Sequence, residues 1–122
     1  MSVRLAGPDE LVPFARWITP VEVKIRFDTR FYVALAPPHT APEADGEEIV
    51  AASWFAPSDA LERHQELMLV FPTMKQLEDL ARYETAEQAL VGARERTVEP
   101  ILPRVVADHA GPRVLLPGDP GY

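Results

Sequence analysis

The chain has 122 residues, 47% of them hydrophobic and 25% charged, with a net charge of −7, 13 prolines and no cysteine. That length allows one modest core. The negative balance disfavours a general nucleic-acid coat, and the lack of cysteine removes disulfides, thiolate metal sites and cysteine nucleophiles. No basic segment followed by an apolar run opens the chain, and no apolar stretch approaches the ~20 residues that span a bilayer. The expectation is a cytoplasmic protein without membrane or nucleic-acid partners.

Residues 11–19, LVPFARWIT, read as a strand, which Pro13 pushes toward an edge or a strand start. Residues 24–36 give the clearest strand. Alternation puts Phe27, Thr29, Phe31, Val33 and Leu35 on a core face and Arg26, Asp28, Arg30 and Tyr32 on the other. Residues 37–48 are rich in proline and acid and read as a loop, with 37–47 as an internal loop of a single domain. Residues 48–55, EIVAASWF, are apolar on both faces, as in a central strand covered on both sides.

Residues 56–66 form a short expected helix, with Pro57 at its first position and Asp59 in its first turn. Residues 67–72 read as an apolar connector. Thr73 and Gln76, then Thr85 and Gln88, repeat the capping-box spacing T-x-x-Q. Each opens a helix with an apolar stripe: Met74, Leu77, Leu80 and Ala81, then Ala86, Ala89, Leu90 and Ala93. Glu78 and Arg82 are spaced to pair on the outer face of the first. This C-terminal helical hairpin ends at Pro100 and Pro103, and a strand over 113–116 and a turn follow. The pattern predicts an α/β (α+β) fold with a mixed sheet.

The residues exclude several chemistries. There is no G-x-S-x-G elbow, no H-x-x-x-H pair and no glycine-rich phosphate loop. Asp45, Glu47 and Glu48 precede the expected central strand. Carboxylates at a strand mouth suit Mg²⁺ or Mn²⁺, and a solvated acidic loop has the same composition. Arg26 and Arg30 are two strand repeats apart, about 13–14 Å by the rise, flank Asp28, and face a neighbouring strand to which Arg16 belongs. A planar guanidinium fork suits phosphate; a salt-bridge ladder built on Asp28 is the alternative.

The ordered segments FARWITP, RFDTRFYVALAPP, DGEEIVAASWFAPSDALE, FPTMKQLEDLA and VLLPGDPGY resemble the C-terminal portion of Nudix hydrolases, close to actinobacterial members of the coenzyme A diphosphatase type. The resemblance runs from about Leu11 to Tyr122 and implies part of an α/β/α sandwich. It implies hydrolysis of a nucleoside diphosphate linked to another group, with Mg²⁺ or Mn²⁺ held by the glutamates of the box G-x5-E-x7-R-E-U-x-E-E-x-G-U. Coenzyme A esters, nucleotide sugars and dinucleoside polyphosphates are the substrate classes it leaves open.

The box itself is absent from these residues. Arg94–Glu95 is followed by Thr97–Val98 where the box needs acid, and Pro100 ends the helix. The expectation is therefore an N-terminally truncated domain, inactive alone, with no metal set of its own. Glu47 and Glu48 stand as accessory metal ligands, Glu48 as a catalytic base, and Arg26, Asp28 and Arg30 as substrate contacts. Exposed sheet edge and apolar surface would favour a homodimer or complementation by a missing N-terminal half. A non-catalytic nucleotide-binding or partner-binding module, and a truncated product without selected function, are the alternatives.

Overall fold

A computed structural model describes residues 11–36, 46–47 and 53–122. Along these the elements are β1 (Val12–Ile18), β2 (Asp28–Val33), α1 (Pro57–Glu62), α2 (Phe71–Leu80), α3 (Ala86–Glu95), β3 (Pro100–Ile101), β4 (Arg104–Asp108) and β5 (Gly111–Leu115). The mixed α and β content agrees with the α+β expectation. The chain divides into two compact units, Met1–Ala34 with Gly92–Tyr122, and Leu35–Val91. No helix among the described residues is long and apolar enough to cross a membrane.

The first unit holds the strands. A three-stranded sheet has the order β2-β1-β3, with β2 antiparallel and β3 parallel to β1, so it is mixed. Strands β4 and β5 pair separately as a hairpin, turned at Gly111 with φ of 108°, a value that favours glycine. Sequence reasoning finds only β5 of that pair.

Strand β1 is central rather than an edge, and Pro13 is its second residue, at the strand start that was the other expected place. Two features accommodate the proline. The short β3 pairs only with Arg16 and Trp17, so no ladder bond to β3 is asked of residue 13. On the β2 side the register shifts between Pro13 and Ala15. Such an irregularity is a usual place for a strand proline.

The shift also changes which side chains are buried. Simple alternation from Val12 and Phe14 would carry Arg16 into the core. Instead Val12, Phe14 and Trp17 are buried and Arg16 is half-exposed. Phe14 is only 2% exposed. The Arg96 guanidinium lies over its ring, 4.2 Å from the centroid, and Nη1 of Arg96 donates to the Phe14 carbonyl at 3.2 Å. Ala93 and Leu115 are also buried in this unit.

Strand β2 is shorter than the expected 24–36. Its alternation holds at Phe31 and Val33, half-buried, against Arg30 and Tyr32, exposed. Before it the chain turns. Val23 N–H donates to the Pro20 carbonyl, and Thr19 and Phe27 close the loop through backbone and hydroxyl bonds of 2.9 Å. Phe27, expected in the core, is 67% exposed on this turn, and Leu35 lies beyond the strand and is exposed.

The second unit holds α1, α2 and the first part of α3, with α1 packed against α2 and Ala60 buried. Pro57 sits in the first turn of α1 with Asp59, as the sequence predicts. Helix α2 starts two residues before the expected cap. Val70 is its N-cap, and Phe71 and Pro72 lie inside the helix, because proline fits the first turn, where no amide donor is needed. Gln76 therefore donates to the Pro72 carbonyl at 3.2 Å and forms no box with Thr73. On its surface Lys75 pairs with Glu78 and Arg82 with Asp79, so the expected Glu78–Arg82 pair is replaced by i,i+3 pairs.

The second cap forms. Gln88 N–H donates to Thr85 Oγ1, and Gln88 Oε1 accepts from Glu84 N–H, both at 3.1 Å. Thr85→Ala is expected to cost about 1 kcal/mol. Thr73→Ala, inside α2 and without a capping bond, should stay within about 0.5 kcal/mol of wild type. Urea midpoints of the two variants check this contrast. The expected strand over 48–55 falls largely outside the described residues; its last three, Ser53–Phe55, are exposed and not in a strand.

Candidate functional site

The open face of the β1–β2 pair carries the charged residues. Arg16 and Arg30 are register partners, directly opposite one another. Asp28 and Tyr32 share the Arg30 face by strand alternation. Arg16, Arg30 and Tyr32, with Pro13, Ala15, Phe31 and Val98, line an open recess of about 250 Å³.

Asp28 is bound by Arg16 through both oxygens. Arg16 Nε donates to Oδ1 at 2.8 Å and Nη2 to Oδ2 at 2.5 Å. Hydrogen bonding from Arg16 holds the Asp28 carboxyl below the usual carboxylate range. Partial desolvation opposes this, and the positive charges of Arg16 and Arg30 add to it. Among the described residues, the Arg30 side chain makes no hydrogen bond or ion pair. The face thus combines one ion-paired guanidinium, one guanidinium without an ion pair among the described residues, and an exposed phenol.

The expected row of Arg26, Asp28 and Arg30 is only partly present. Asp28 and Arg30 stand on β2. Arg26 precedes the strand, is exposed, and donates from Nε to the Thr19 carbonyl at 3.1 Å. The carboxylate pairs across the sheet with Arg16 rather than along the strand with Arg26. The salt-bridge alternative is thus present as one pair, and it leaves Arg30 outside.

Sequence spacing pointed to Arg16 as a neighbour but gave no face for it. The register shift after Pro13 supplies that face, and Pro13 was the visible signal. Val98, in the segment between α3 and β3, carried no signal.

Glu47 lies on an exposed bend at residues 46–47, and Glu48 is outside the described residues. No group of three His, Asp or Glu able to hold a metal ion occurs among the described residues. The described acids therefore do not form a set that fits Mg²⁺ or Mn²⁺, which take several oxygen ligands.

No family model matches the chain, and no solved structure matches it. Among characterised proteins, the acyl-coenzyme A diphosphatase NUDT19 of Gallus gallus is 32% identical over 124 residues. The match takes in 92% of this chain and 32% of that protein, so the chain spans about a third of its relative's length. In sequence, the chain is related to a Nudix acyl-coenzyme A diphosphatase.

Proposed function

We propose that the open face of β1 and β2 is the diphosphate-binding part of a Nudix-type hydrolase of the coenzyme A diphosphatase kind. The 122 residues bind such a ligand without hydrolysing it. Arg30 carries the reading: an exposed guanidinium with no hydrogen-bond or ion-pair partner among the described residues, opposite a second arginine, at a recess with an aromatic wall. A guanidinium in that position offers phosphate a planar two-point contact, and Tyr32 offers a flat apolar surface beside it. Relative to the sequence expectation, Arg16 takes the place of Arg26, while Asp28 and Arg30 remain.

The name of the related protein supports the ligand class, a diphosphate within an acyl-coenzyme A. In such enzymes divalent metal on the box glutamates supplies charge neutralisation and water activation. The box is absent from these residues and the described acids do not replace it, so no hydrolytic step is assigned to them. Exposed Val21, Ile25 and Phe27 beside this sheet support association with a second copy or with a complementing segment.

Incubating the chain with an acyl-coenzyme A and Mg²⁺ or Mn²⁺ tests the reading. Saturable binding with no release of phosphorylated products is expected. Turnover by the chain alone would overturn the non-catalytic assignment, and absence of binding would overturn the site.

A further inference from the structure

Arg16 and Arg30 face one another across an antiparallel pair, where opposed Cβ atoms lie ~4.5–5.5 Å apart and like charges repel. Something must hold two guanidinium groups there before any ligand arrives. Asp28 does so for one of them. It occupies the Nε–Nη2 edge of Arg16 with two oxygens, at 2.8 and 2.5 Å. That side-on, two-point contact is the one a phosphate group makes with arginine. The corresponding edge of Arg30 has no such occupant among the described residues.

The geometry points to Asp28 as an internal stand-in for the anion: its carboxylate holds Arg16 in place in the free protein and yields that edge when a diphosphate bridges Arg16 and Arg30. This rests on the reading of the recess as an anion site and adds how the site is kept ready and how its affinity is limited. The exchange is physically inexpensive. The Asp28 side chain is 39% exposed and that of Arg16 32%, so the displaced carboxylate turns into water rather than being left buried without a partner. Two phosphoryl groups can span two opposed guanidinium groups, whereas one carboxylate serves only one. Asp28 is thus a positioning residue and a competitor together, and it makes the ligand easier to release.

Two charged groups of the turn between β1 and β2 are engaged elsewhere. Arg26 is engaged with the Thr19 carbonyl, and Glu22 lies 3.8 Å from Arg104. Asp28 is therefore the acid within reach of Arg16 on this face among the described residues.

The test is a titration of the 122-residue chain with inorganic pyrophosphate, followed by magnetic resonance at arginine Nε–H and aspartate carboxyl carbons. Arg16, Asp28 and Arg30 are expected to shift together with one dissociation constant. Arg30 shifting alone would leave the anion site standing and overturn the exchange. No saturable shift at either arginine would overturn both. Asp28→Asn gives a second readout, with pyrophosphate binding about tenfold tighter as the competitor is lost. Adding Arg16→Gln in the same chain should remove that gain. Unchanged or weaker binding by Asp28→Asn overturns the proposal, and should that variant fail to fold, the wild-type resonances decide.

Discussion

Phe14→Ala is expected to destabilise the strand-bearing unit by about 3–5 kcal/mol, the usual range for a buried phenylalanine truncated to alanine. Phe14 is 2% exposed and sits at the register shift of the central strand. Its loss leaves a cavity in the buried interior and removes the face on which the Arg96 guanidinium rests at 4.2 Å. The cation–ring contact adds about 0.5–1 kcal/mol at a partly exposed position. A total of this size is a large share of the ~5–15 kcal/mol that holds an ordinary domain. Phe14→Leu keeps most of the volume and should cost less than half as much. Urea denaturation with Trp fluorescence measures both, and a loss under about 1 kcal/mol for the alanine variant would show that the residue is not part of a packed core.

Arg30→Ala is expected to weaken pyrophosphate binding roughly ten- to a hundredfold. A hydrogen bond to a charged group contributes about 1.5–3 kcal/mol, and 1.4 kcal/mol is tenfold in affinity. Arg30 has no structural partner among the described residues, so its removal should leave the melting midpoint close to wild type. That separation of binding from stability is what distinguishes a ligand contact from a fold contact. Arg30→Lys keeps the charge and loses the planar fork, and should fall between the two. Arg26→Ala, whose side chain serves the Thr19 carbonyl, should change binding by less than threefold by the same arithmetic, with ~0.6 kcal/mol as its limit.

Much of the local structure was legible because its signals are local. The pairing of Phe31 and Val33 against Arg30 and Tyr32 follows from period-two alternation, and the Thr85–Gln88 cap follows from a four-residue spacing. The earlier T-x-x-Q at Thr73 has the same spacing and forms no cap. Pro72 gave α2 an earlier start, and a proline signal one residue upstream outweighed the hydroxyl. Strands β3 and β4 were not legible. Two residues, Pro100–Ile101, form β3 only because β1 lies beside them, and no pattern of two residues can announce a strand.

The site was half legible for a related reason. Arg30 and Asp28 share a strand face, which alternation shows. Arg16 joins them only because the register shifts between Pro13 and Ala15, and strict alternation hides it in the core. Arg26 falls in the expected row because the 24–36 strand starts four residues before β2 does. The chain turns at Pro20 and pairs again only from Asp28. The metal expectation rests on family resemblance and on Asp45, Glu47 and Glu48, of which only Glu47 lies among the described residues, and no group of three ligands occurs among those.

The measurement that bears most directly on this account is a calorimetric titration of the 122-residue chain with inorganic pyrophosphate at low salt. One-to-one saturable binding is expected, weakening as added salt screens the exposed arginines, and greatly reduced in Arg30→Ala. Binding that never saturates, or that is the same with and without the Arg30 guanidinium, would contradict a diphosphate site on the open face of β1 and β2.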